Sequence, residues 1–572
     1  MRLHGKLSMK ISDYIASFLE KKGVDHVFEV IGGMITHLID SIYKNGKISI
    51  ISMHHEQAAA FAAEAMARMN GVPGVVLATS GPGATNLITG IGSCYFDSVP
   101  AIFITGQVNR DEQKGMRSVR QLGFQETDVA SMVSSVTKGS WRVESPEEVP
   151  ILLEKAFRIS VSGRPGPVLL DIPMDVQRLE ISIDTYEPTF SFDSDQMNQE
   201  LIDKMFADLS LARRPLVLAG GGIRSARAVS LFRTFIEHVK IPVVNSLMAI
   251  DVLPYSHPLR VGFIGTYGNR WANLALGKAD FIMVVGSRLD IRQTGSNVAA
   301  FKGNRPIYHI DCDPSEINNR VKGCVPILAQ LDPFLKEGIE KCEEHRFGMR
   351  SDWVVEIEAG KKLYSDTKEL ATTLGINPNV LMHEISRASS PAVAFTVDVG
   401  QHQMWAAQSL ELNANQRFLT SGGMGAMGFA LPAAIGASLA NVRSPTVVIA
   451  GDGGFQLNIQ ELETVAHNNL PIKMVIINNK CYGMVRQFQQ SYFNELYPST
   501  LWGYSAPDFE LVAKAYGIEA LTVREPEEIP RALEALWNSP EKPFLLQVMI
   551  DTFKNVYPKV MFGLPITEME TG

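Results

Sequence analysis

The sequence predicts an α/β protein built from three doubly wound parallel-sheet domains. The chain has 572 residues, which is too many for one hydrophobic core and suits about three domains. Short buried apolar runs alternate with helical stretches, as in parallel sheets covered by helices on both faces. Several of these runs end in glycine and polar residues, as ligand-binding strand ends do in such folds.

The predicted elements follow from local patterns. Residues 12–22 have apolar side chains at helical spacing, with Ser12 in the N-cap position. Apolar runs of four to eight residues, bounded by Gly, Pro or Asn, predict strands. These strands are residues 26–30, 48–53, 74–78, 101–105, 167–171, 215–219, 241–244, 281–285, 306–310, 392–397, 446–450, 473–477 and 544–550. Further helices are predicted at residues 34–43, 58–69 and 459–468.

Polar linkers separate these elements into domains. Residues 183–198 are acidic and lack periodicity, which is typical of a linker, and residues 1–8 are interpreted as an extension before the fold. The two outer domains share an α/β layout, consistent with an old duplication. The predicted domains are residues 9–182, 199–344 and 378–552, followed by an irregular tail, 553–572, that we expect to cover the site.

The composition excludes several classes of function. Hydrophobic residues make up 45% and charged residues 20% of the chain, as in ordinary globular enzymes. A formal net charge of −8 without a Lys/Arg-rich tract argues against binding to nucleic acid. The sequence shows no membrane span or signal core, and its five cysteines are scattered without metal-site spacing. We therefore expect a cytoplasmic enzyme with free thiols.

Two strand ends of the third domain combine the ligands of a metal–diphosphate site. One apolar run ends in Gly451-Asp452-Gly453, and the next ends in Asn478-Asn479. Parallel strands place Asp452 and Asn479 at one sheet edge, and Mg²⁺ accepts such oxygen ligands together with phosphates. A tight turn whose Asp only caps a helix is the alternative, which the downstream Asn-Asn pair disfavours.

This stretch resembles the thiamine-diphosphate motif, in which GDG is followed by NN after a helix. The resemblance implies thiamine diphosphate as cofactor, with Mg²⁺ held by Asp452, Asn479 and the backbone carbonyl of Cys481. It also implies cofactor contacts from Gly451, Gly453, Gly454, Gly483 and Met484.

Glu56 stands at a strand end before an Ala-rich helix. Such a carboxylate is partly desolvated and suited to holding a proton, although an acid that merely favours the helix dipole is the alternative. The segment 54–65 resembles the one that carries the catalytic Glu of thiamine-diphosphate enzymes. There the Glu bonds pyrimidine N1′, and the cofactor supplies the ylid.

Longer motifs resemble the catalytic subunits of acetolactate (acetohydroxyacid) synthase. They occur in all three domains, at residues 80–86, 124–127, 164–173, 400–408 and 421–436. The resemblance implies that pyruvate is decarboxylated and its acetyl (hydroxyethyl) unit is transferred to a second 2-keto acid, as in branched-chain amino acid biosynthesis. It further implies a homodimer or homotetramer with the active site at the subunit interface, because Glu56 and the Asp452 site come from different subunits.

The same resemblance assigns roles to further residues. Met427 becomes the apolar wedge that bends the cofactor, although Met is also a common core filler. The substrate side is assigned to Gly32, Gly33, Phe124 and Gln125, with Lys138 nearby. Other cofactor contacts are assigned to Gln401, His402, Gln403 and Gly425.

Glycines and an acid at the strand ends of the middle domain suit a dinucleotide. The resemblance implies FAD there, in a structural role because carboligation has no net redox change. Glycine at strand ends is common in such domains, so a role without a ligand is the alternative. The implied contacts are Gly220, Gly221, Gly222, Asn245, Leu247, Met248, Gly286, Arg288, Arg292 and Asp311.

Departures from the family pattern cluster on the acceptor side. Arg292, which would bind the carboxylate of the second keto acid, is kept, but Ile291 replaces an acid, Phe488 replaces a Trp and Ile31 replaces a Pro. The resemblance therefore implies pyruvate as the first substrate more directly than it implies the identity of the acceptor. Another ketone, such as a nucleotide-linked keto sugar, is the alternative acceptor, and the intact motifs argue against an inactive scaffolding homologue.

Overall fold

The computed structural model describes residues 8–182, 197–372 and 374–572. Residues 1–7 of the predicted extension and residues 183–196 of the predicted linker lie outside these ranges. No helix within them is long and apolar enough to cross a membrane. The chain forms two compact units, one of Met1–Asp193, Gly423–Arg443 and Asn458–Asn469, the other of Ser194–Gly422, Ser444–Leu457 and Leu470–Gly572.

The first domain forms a parallel six-stranded sheet. Its strands are β1 (Ser8–Lys10), β2 (His26–Val30), β3 (Ser49–Ser52), β4 (Gly74–Ala78), β5 (Ala101–Gln107), β6 (Gly139–Arg142), β7 (Pro167–Pro173) and β8 (Glu180–Ser182). Its helices are α1 (Ile11–Lys21), α2 (Thr36–Asn45), α3 (Glu56–Asn70), α4 (Pro82–Asn86), α5 (Ile88–Phe96), α6 (Val129–Met132), α7 (Glu148–Val161) and α8 (Met174–Arg178). The sheet has the order β3-β2-β4-β5-β7-β6, and β1 pairs antiparallel with β8.

The middle domain forms a second parallel sheet. Its strands are β9 (Pro215–Ala219), β10 (Val243–Asn245), β11 (Arg260–Phe263), β12 (Phe281–Val285), β13 (Ile307–Asp311) and β14 (Val325–Leu328). Its helices are α9 (Gln199–Leu211), α10 (Gly222–Ser225), α11 (Val229–Val239), α12 (Arg270–Lys278), α13 (Ile291–Thr294), α14 (Val298–Lys302), α15 (Leu331–His345) and α16 (Ser351–Leu363). The order is β11-β10-β9-β12-β13-β14.

The third domain forms the last six-stranded parallel sheet. Its strands are β15 (Ala394–Val397), β16 (Arg417–Leu419), β17 (Thr446–Gly451), β18 (Ile472–Asn478), β19 (Glu519–Val523) and β20 (Phe544–Met549). Its helices are α17 (Pro378–Ala388), α18 (Gln401–Ser409), α19 (Ala430–Leu439), α20 (Asp452–Phe455), α21 (Glu461–His467), α22 (Gly483–Tyr492), α23 (Phe509–Ala515) and α24 (Ile529–Trp537). The order is β16-β15-β17-β18-β20-β19, and β21 (Lys559–Val560) pairs with β22 (Met569–Glu570) in the tail.

The predicted fold class is confirmed by these three sheets, each parallel and flanked by helices. When the strands are numbered within their own sheet, the first sheet has the order 2-1-3-4-6-5, and so has the third. The middle sheet instead has the order 3-2-1-4-5-6, which is the dinucleotide-binding arrangement. The common layout predicted for the outer domains is therefore confirmed at the level of strand order.

Two local predictions were wrong. Ser12 is not the N-cap of α1, because the helix begins at Ile11 and Lys10 precedes it without a side-chain cap. The reason is the pairing of β1 with β8, which delivers the chain directly into the helix and leaves Ser12 inside it. The tail is not wholly irregular, since it contains the β21–β22 ribbon.

Candidate active site

Glu56 is the first residue of α3. His55 caps the helix, and its Nδ1 accepts a hydrogen bond from the Gln57 N–H at 3.0 Å. Glu56 is only 9% exposed, and its Oε2 accepts a hydrogen bond from Asn86 Nδ2 at 2.9 Å. A Cβ atom at Gly83 would stand 3.2 Å from Oε1, so the backbone of α4 approaches the carboxylate closely. Asn86 of α4 therefore holds one carboxylate oxygen, and the backbone of α4 lies close to the other.

The strand ends of the first sheet bring most of the predicted substrate side together. A side chain at Gly32 would collide with Thr79, which follows β4. A Cβ at Gly81 would stand 3.0 Å from the Cβ of Gln125, a non-glycine residue with φ +67°. Neighbouring Phe124 is 79% exposed. The ends of β2 and β4 and the loop of Gln125 thus meet at the carboxyl edge of the sheet.

Two further predicted residues of this unit lie in different surroundings. Gly33 starts a 3₁₀ turn after β2, and a Cβ there would meet no atom within 4 Å. Lys138 precedes β6, and its N–H donates to Pro167 at the start of β7. Its Nζ donates to the carbonyls of Ile159 (2.6 Å) and Ser162 (2.5 Å) at the end of α7. Lys138 therefore caps a helix at the amino edge of the sheet, and the structure does not bring it to Gln125.

The Met427 loop, defined as residues 421–428, also belongs to the first unit from Gly423 onward. Its Gly423 N–H donates to Asp97 Oδ1 at 2.6 Å. Gly425 has φ +67° and Gly428 has φ +84°, conformations that glycine adopts without strain. Met427 itself is half-buried. The loop is thus held at both ends of its glycine-rich part and presents Met427 between them.

Asp452 starts α20 at the end of β17. It is buried, and its Oδ2 accepts a hydrogen bond from the Tyr504 hydroxyl at 2.9 Å. Burial raises the pKa of Asp452 to about 6, which favours a nearby cation. A side chain at Gly453 would collide with the Tyr482 ring, and one at Gly454 would approach the Asp398 carboxylate to 2.8 Å. The glycines therefore allow the backbone of this turn to pack closely.

Asn479 follows β18 in the same unit. Its Oδ1 accepts the Cys481 N–H at 3.2 Å, and its Nδ2 donates to Gln401 Oε1 at 3.1 Å. A side chain at Gly483 would collide with both Gln401 and Asn479. Burial raises the pKa of the Cys481 thiol to about 11, so its carbonyl and not its sulfur suits a hard cation.

The start of α18 adds polar groups to this edge. His402 is buried, and burial lowers its pKa to about 3, so the imidazole is neutral. Within the described part of the protein its Nε2 has no hydrogen-bond partner. A side chain at Gly451 would approach this ring to 2.9 Å. Gln403 points elsewhere, donating to Thr420 Oγ1 at 2.7 Å, and Met484 packs on the hydrophobic core.

These groups fit a diphosphate and a hard divalent cation. A buried carboxylate, an amide oxygen and a backbone carbonyl are the oxygen donors that Mg²⁺ accepts. The unpartnered Nε2 of His402 is a buried polar atom of the kind that requires a partner. The glycine turn after β17 supplies closely spaced backbone N–H groups of the kind that bind phosphates.

The start of the predicted tail lies against this site. Thr552 Oγ1 donates to the Asn479 carbonyl at 2.9 Å, and the Lys554 carbonyl accepts from Gln401 Nε2 at 3.0 Å. Gln487 exchanges two hydrogen bonds of 2.9 Å with the backbone of Val556. Residues 552–556 therefore hold the loop after β18 in place.

The middle sheet reverses its strand order between β9 and β12, where dinucleotides bind in this topology. Side chains at Gly220 and Gly222 would collide with the backbone of Gly286. These glycines are thus required by packing of the two strand ends, whatever binds there. Near them Asn245 Oδ1 and His309 Nδ1 are buried without partners in the described residues, which fits a polar ligand.

The remaining predicted contacts of this domain surround that reversal point. Met248 packs against Gly221, since a Cβ there would stand 2.9 Å from the Met248 Cβ. Leu247 starts a 3₁₀ turn after β10. Arg288 forms an ion pair of 3.0 Å with Asp290. Asp311 ends β13 and accepts the Asp313 N–H at 3.0 Å.

The two predicted acceptor residues lie on separate elements of the second unit. Arg292 is exposed on α13, and its N–H donates to Asp290 Oδ1 at 2.9 Å. Phe488 is 53% exposed on α22, with its ring 4.8 Å from Tyr492 and 5.8 Å from Phe493. Among the described residues, no hydrogen bond or ring contact joins Arg292 to Phe488.

Sequence reasoning missed the side chains that hold the site residues. Asn86 lies within a motif that was singled out, and its spacing from Glu56 carries no signal of their contact. Tyr504 lies in an irregular segment with no pattern to mark it. Glu461 lies inside the predicted helix 459–468 and Asn458 directly before it, and no pattern singles out either residue.

Comparison with known families identifies the class of protein. Three family models match successive parts of the chain: the N-terminal thiamine pyrophosphate binding domain at residues 9–132, the central domain of thiamine pyrophosphate enzymes at 202–337, and the C-terminal thiamine pyrophosphate binding domain at 398–548. Together with the three sheets, these matches define a thiamine pyrophosphate enzyme.

Curated relatives show which family of thiamine pyrophosphate enzymes the chain resembles. An acetolactate synthase large subunit of Lactococcus lactis is 36% identical over 562 residues, covering 98% of this chain and 95% of the relative. The isozyme 2 large subunit of Escherichia coli is 35% identical over 570 residues, covering 98% and 99%. A probable large subunit of Methanocaldococcus jannaschii is 36% identical over 555 residues, covering 95% and 92%. The chain therefore belongs to the acetolactate synthase large-subunit family.

Proposed function

We propose that the chain is a thiamine-diphosphate-dependent carboligase that decarboxylates pyruvate and transfers the acetyl (hydroxyethyl) unit to a second 2-keto acid. The observation that carries this proposal is the match to acetolactate synthase large subunits over nearly the full length of both chains. The same relatives suggest a place in branched-chain amino acid biosynthesis. They do not favour a keto sugar as acceptor.

The geometry of the first unit supports the roles proposed for its residues. When bound, thiamine diphosphate supplies the carbanion chemistry. Glu56 holds a proton at pyrimidine N1′, and Asn86 keeps the carboxylate in position through Oε2. Met427 gives the cofactor an apolar support, while Gln125 and Phe124 line the substrate side. The strained backbone of Gln125 supports a functional role for that turn.

The third domain is proposed to hold Mg²⁺ and the diphosphate. Asp452, Asn479 and the Cys481 carbonyl bind the metal, and neutral His402 binds a phosphate oxygen. Support comes from the buried Asp452 carboxylate, whose raised pKa is relieved by a cation, and from the unpartnered His402 Nε2. We expect the segment 552–556 to keep this site closed to water.

FAD in the middle domain is a separate proposal. It is supported by the 3-2-1-4-5-6 strand order and by the buried unpartnered atoms of Asn245 and His309. The test is denaturation of the purified protein followed by absorption spectroscopy of the released small molecules. A flavin spectrum at about one equivalent supports the proposal, and a colourless supernatant contradicts it.

Assembly and location complete the proposal. A homodimer or homotetramer with Glu56 and the Asp452 site from different subunits is supported by the family resemblance, and an active monomer in light scattering would contradict it. A cytoplasmic location is supported by the five cysteines, which all lie within the described residues and form no disulfide bond there.

The proposed reaction is tested with pyruvate as sole substrate. The purified protein, supplied with thiamine diphosphate and Mg²⁺, should produce acetolactate and CO₂ in equal amounts. Glu56→Gln is the control for non-enzymatic turnover. CO₂ release without acetolactate would contradict the acceptor assignment, and no CO₂ release would contradict the proposed reaction.

A further inference from the structure

The segment after the Gly-Asp-Gly motif carries buried polar side chains that the proposed reaction does not use. Asn458 and Glu461 both belong to the first unit and are 1% and 0% exposed. Burying an amide and a carboxylate is unfavourable unless each makes compensating hydrogen bonds. Their partners are residues directly beside Glu56 and Met427.

Asn458 connects two elements of the site. Its Nδ2 donates to the Gly428 carbonyl at 2.8 Å and to Gln57 Oε1 at 3.1 Å. Gly428 follows Met427, and Gln57 follows Glu56. A single amide group therefore fixes the end of the Met427 loop against the first turn of α3.

Glu461 holds the same turn from its other side. Its Oε1 accepts a hydrogen bond from the backbone N–H of His54 at 3.0 Å, two residues before Glu56. Its Oε2 accepts a hydrogen bond from Thr464 Oγ1 at 2.6 Å, and that hydroxyl lies 3.0 Å from His54 Nδ1. Residues on both sides of Glu56 are thus bound by one short segment, 458–464.

Helix packing fixes the rest of α3 within this unit. A side chain at Gly436 of α19 would collide with the Ala62 carbonyl, so the two helix backbones are in close contact there. The rings of Phe61 and Phe429 pack edge to face at 5.4 Å. These contacts begin more than one turn after Glu56. The hydrogen bonds from Asn458 and Glu461 fix the first turn of α3, which the helix packing does not reach.

We propose that Asn458 and Glu461 are positioning residues that keep the first turn of α3, and Glu56 with it, in place for proton transfer. The inference rests on the proposed function only in taking Glu56 as the proton carrier. A displacement of about 1 Å in an active site costs on the order of 10²-fold in rate. Loss of these bonds should therefore slow proton transfer while cofactor binding is kept.

The test uses the full-length protein with Asn458→Ala, Glu461→Gln and a matched control, Asn468→Ala. Asn468 is half-buried, lies directly after α21 and donates one hydrogen bond of 2.8 Å, to the Thr464 carbonyl. The measurement is hydrogen–deuterium exchange at C2 of bound thiamine diphosphate, followed by NMR after acid quench. Cofactor Kd and Tm are measured alongside.

We expect exchange to slow about 10- to 100-fold in Asn458→Ala and by a smaller factor in Glu461→Gln, which keeps an acceptor for His54. The control should stay within about twofold, and all three variants should bind the cofactor within about threefold of the original. In the Glu56→Gln background Asn458→Ala should have no further effect, because residues that act as a unit are non-additive. Should Asn458→Ala fail to fold, half-buried Gln57→Ala breaks one of the same bonds.

Exchange in Asn458→Ala equal to that of the Asn468→Ala control would overturn the inference. So would an equal slowing with and without Glu56, because Asn458 would then act independently of that residue. A protein whose C2 exchange depends on Glu56 but which forms no acetolactate contradicts the proposed function and leaves the inference standing. Normal acetolactate synthesis and normal exchange in Asn458→Ala contradict the inference alone.

Discussion

The first and third sheets have the same strand order but carry different chemistry. In each, the second, third and fourth strands in chain order end in the segments of the site. In the first sheet the loop after the second strand leads to Glu56, whereas in the third sheet the corresponding loop leads to Met427. The ends of the third strands differ as well, with Thr79-Ser80-Gly81 in one and Asp452 in the other.

The comparison shows how one topology is used for two tasks. The carboxyl edge of the third sheet concentrates a buried carboxylate, an amide and a neutral imidazole, which suits binding of metal and diphosphate. The same edge of the first sheet has small residues after its third strand and a single carboxylate after its second. We infer that the first sheet provides proton transfer and the third provides affinity for the cofactor. The fold fixes where groups converge, and side-chain identity decides their function.

The largest expected effect is that of Glu56→Gln. The substitution keeps the size of the side chain and an oxygen that can accept the bond from Asn86. It removes the carboxyl group that takes up and releases a proton, so carboligation should fall about 10²- to 10⁴-fold. Cofactor Kd should remain within about threefold, because the proposed metal and diphosphate ligands lie in the third domain. Turnover is measured as acetolactate formation and Kd by fluorescence titration. Near-normal turnover would show that Glu56 does not take part in the reaction. The proposed division of tasks between the first and third sheets would then be wrong.

Much of the fold could be predicted from the sequence because central strands are buried on both faces. The strands at residues 26–30, 74–78, 215–219 and 281–285 have the predicted bounds. Most strands at sheet edges escaped prediction, among them β6, β14 and β19. Glu519 and Leu521 of β19 are exposed, so the continuous apolar run that marks a central strand is absent there.

The motif residues of the site could be predicted because their spacing from strand ends is local. The residues that support them could not, because their contacts join distant parts of the chain. Asn458 reaches Gln57 across 401 residues, and no periodicity encodes that pair. The glycines of the middle domain show a pattern with two possible causes, since packing of Gly220 on Gly286 explains it and a dinucleotide would suit it as well. The individual site assignments and domain boundaries stay predictions.

Asp452→Ala should weaken cofactor binding, whereas Glu56→Gln should mainly lower turnover. Removing a metal ligand should weaken binding of Mg²⁺ and thiamine diphosphate together by about 10²-fold or more. At saturating cofactor the activity should recover in part, whereas Glu56→Gln should not recover. Isothermal titration with and without a chelator measures the coupling. Tight cofactor binding by the variant in the presence of chelator would show that Asp452 does not hold the metal.

Tyr504 and Asn86 each donate a hydrogen bond to one of these carboxylates. Substituting Tyr504 should weaken cofactor binding, and substituting Asn86 should lower kcat, each by a smaller factor than loss of the carboxylate itself. Tyr504→Phe removes the hydroxyl that donates to Asp452 at 2.9 Å and should weaken cofactor binding about tenfold, with kcat nearly unchanged. Asn86→Ala removes the donor to Glu56 at 2.9 Å and should lower kcat about tenfold, with Kd nearly unchanged. Full kinetics with varied cofactor separate the two quantities. If both variants changed the same quantity, the division of labour between the sheets would be wrong.

The smallest expected effect concerns acceptor choice, which we place on α22 of the third domain. Phe488→Trp should raise the preference for 2-ketobutyrate over pyruvate by about two- to tenfold. An indole offers a larger and stiffer wall to the extra methylene, and one methylene in an apolar pocket contributes only about 1–3 kcal/mol. Arg292 should still favour a carboxylate-bearing acceptor in both proteins.

The measurement is a competition between the two keto acids, with both products quantified. Phe493→Trp is the matched control, because Phe493 has the same side chain and nearly the same exposure, 54% against 53%, with its ring 5.8 Å away. The same shift in both variants would indicate a general effect on the helix and not a pocket wall. If Phe488→Trp leaves the ratio unchanged, or if the original protein already prefers 2-ketobutyrate strongly, Phe488 does not set acceptor choice. The third domain would then supply affinity for the cofactor alone, and selectivity would have to come from another element.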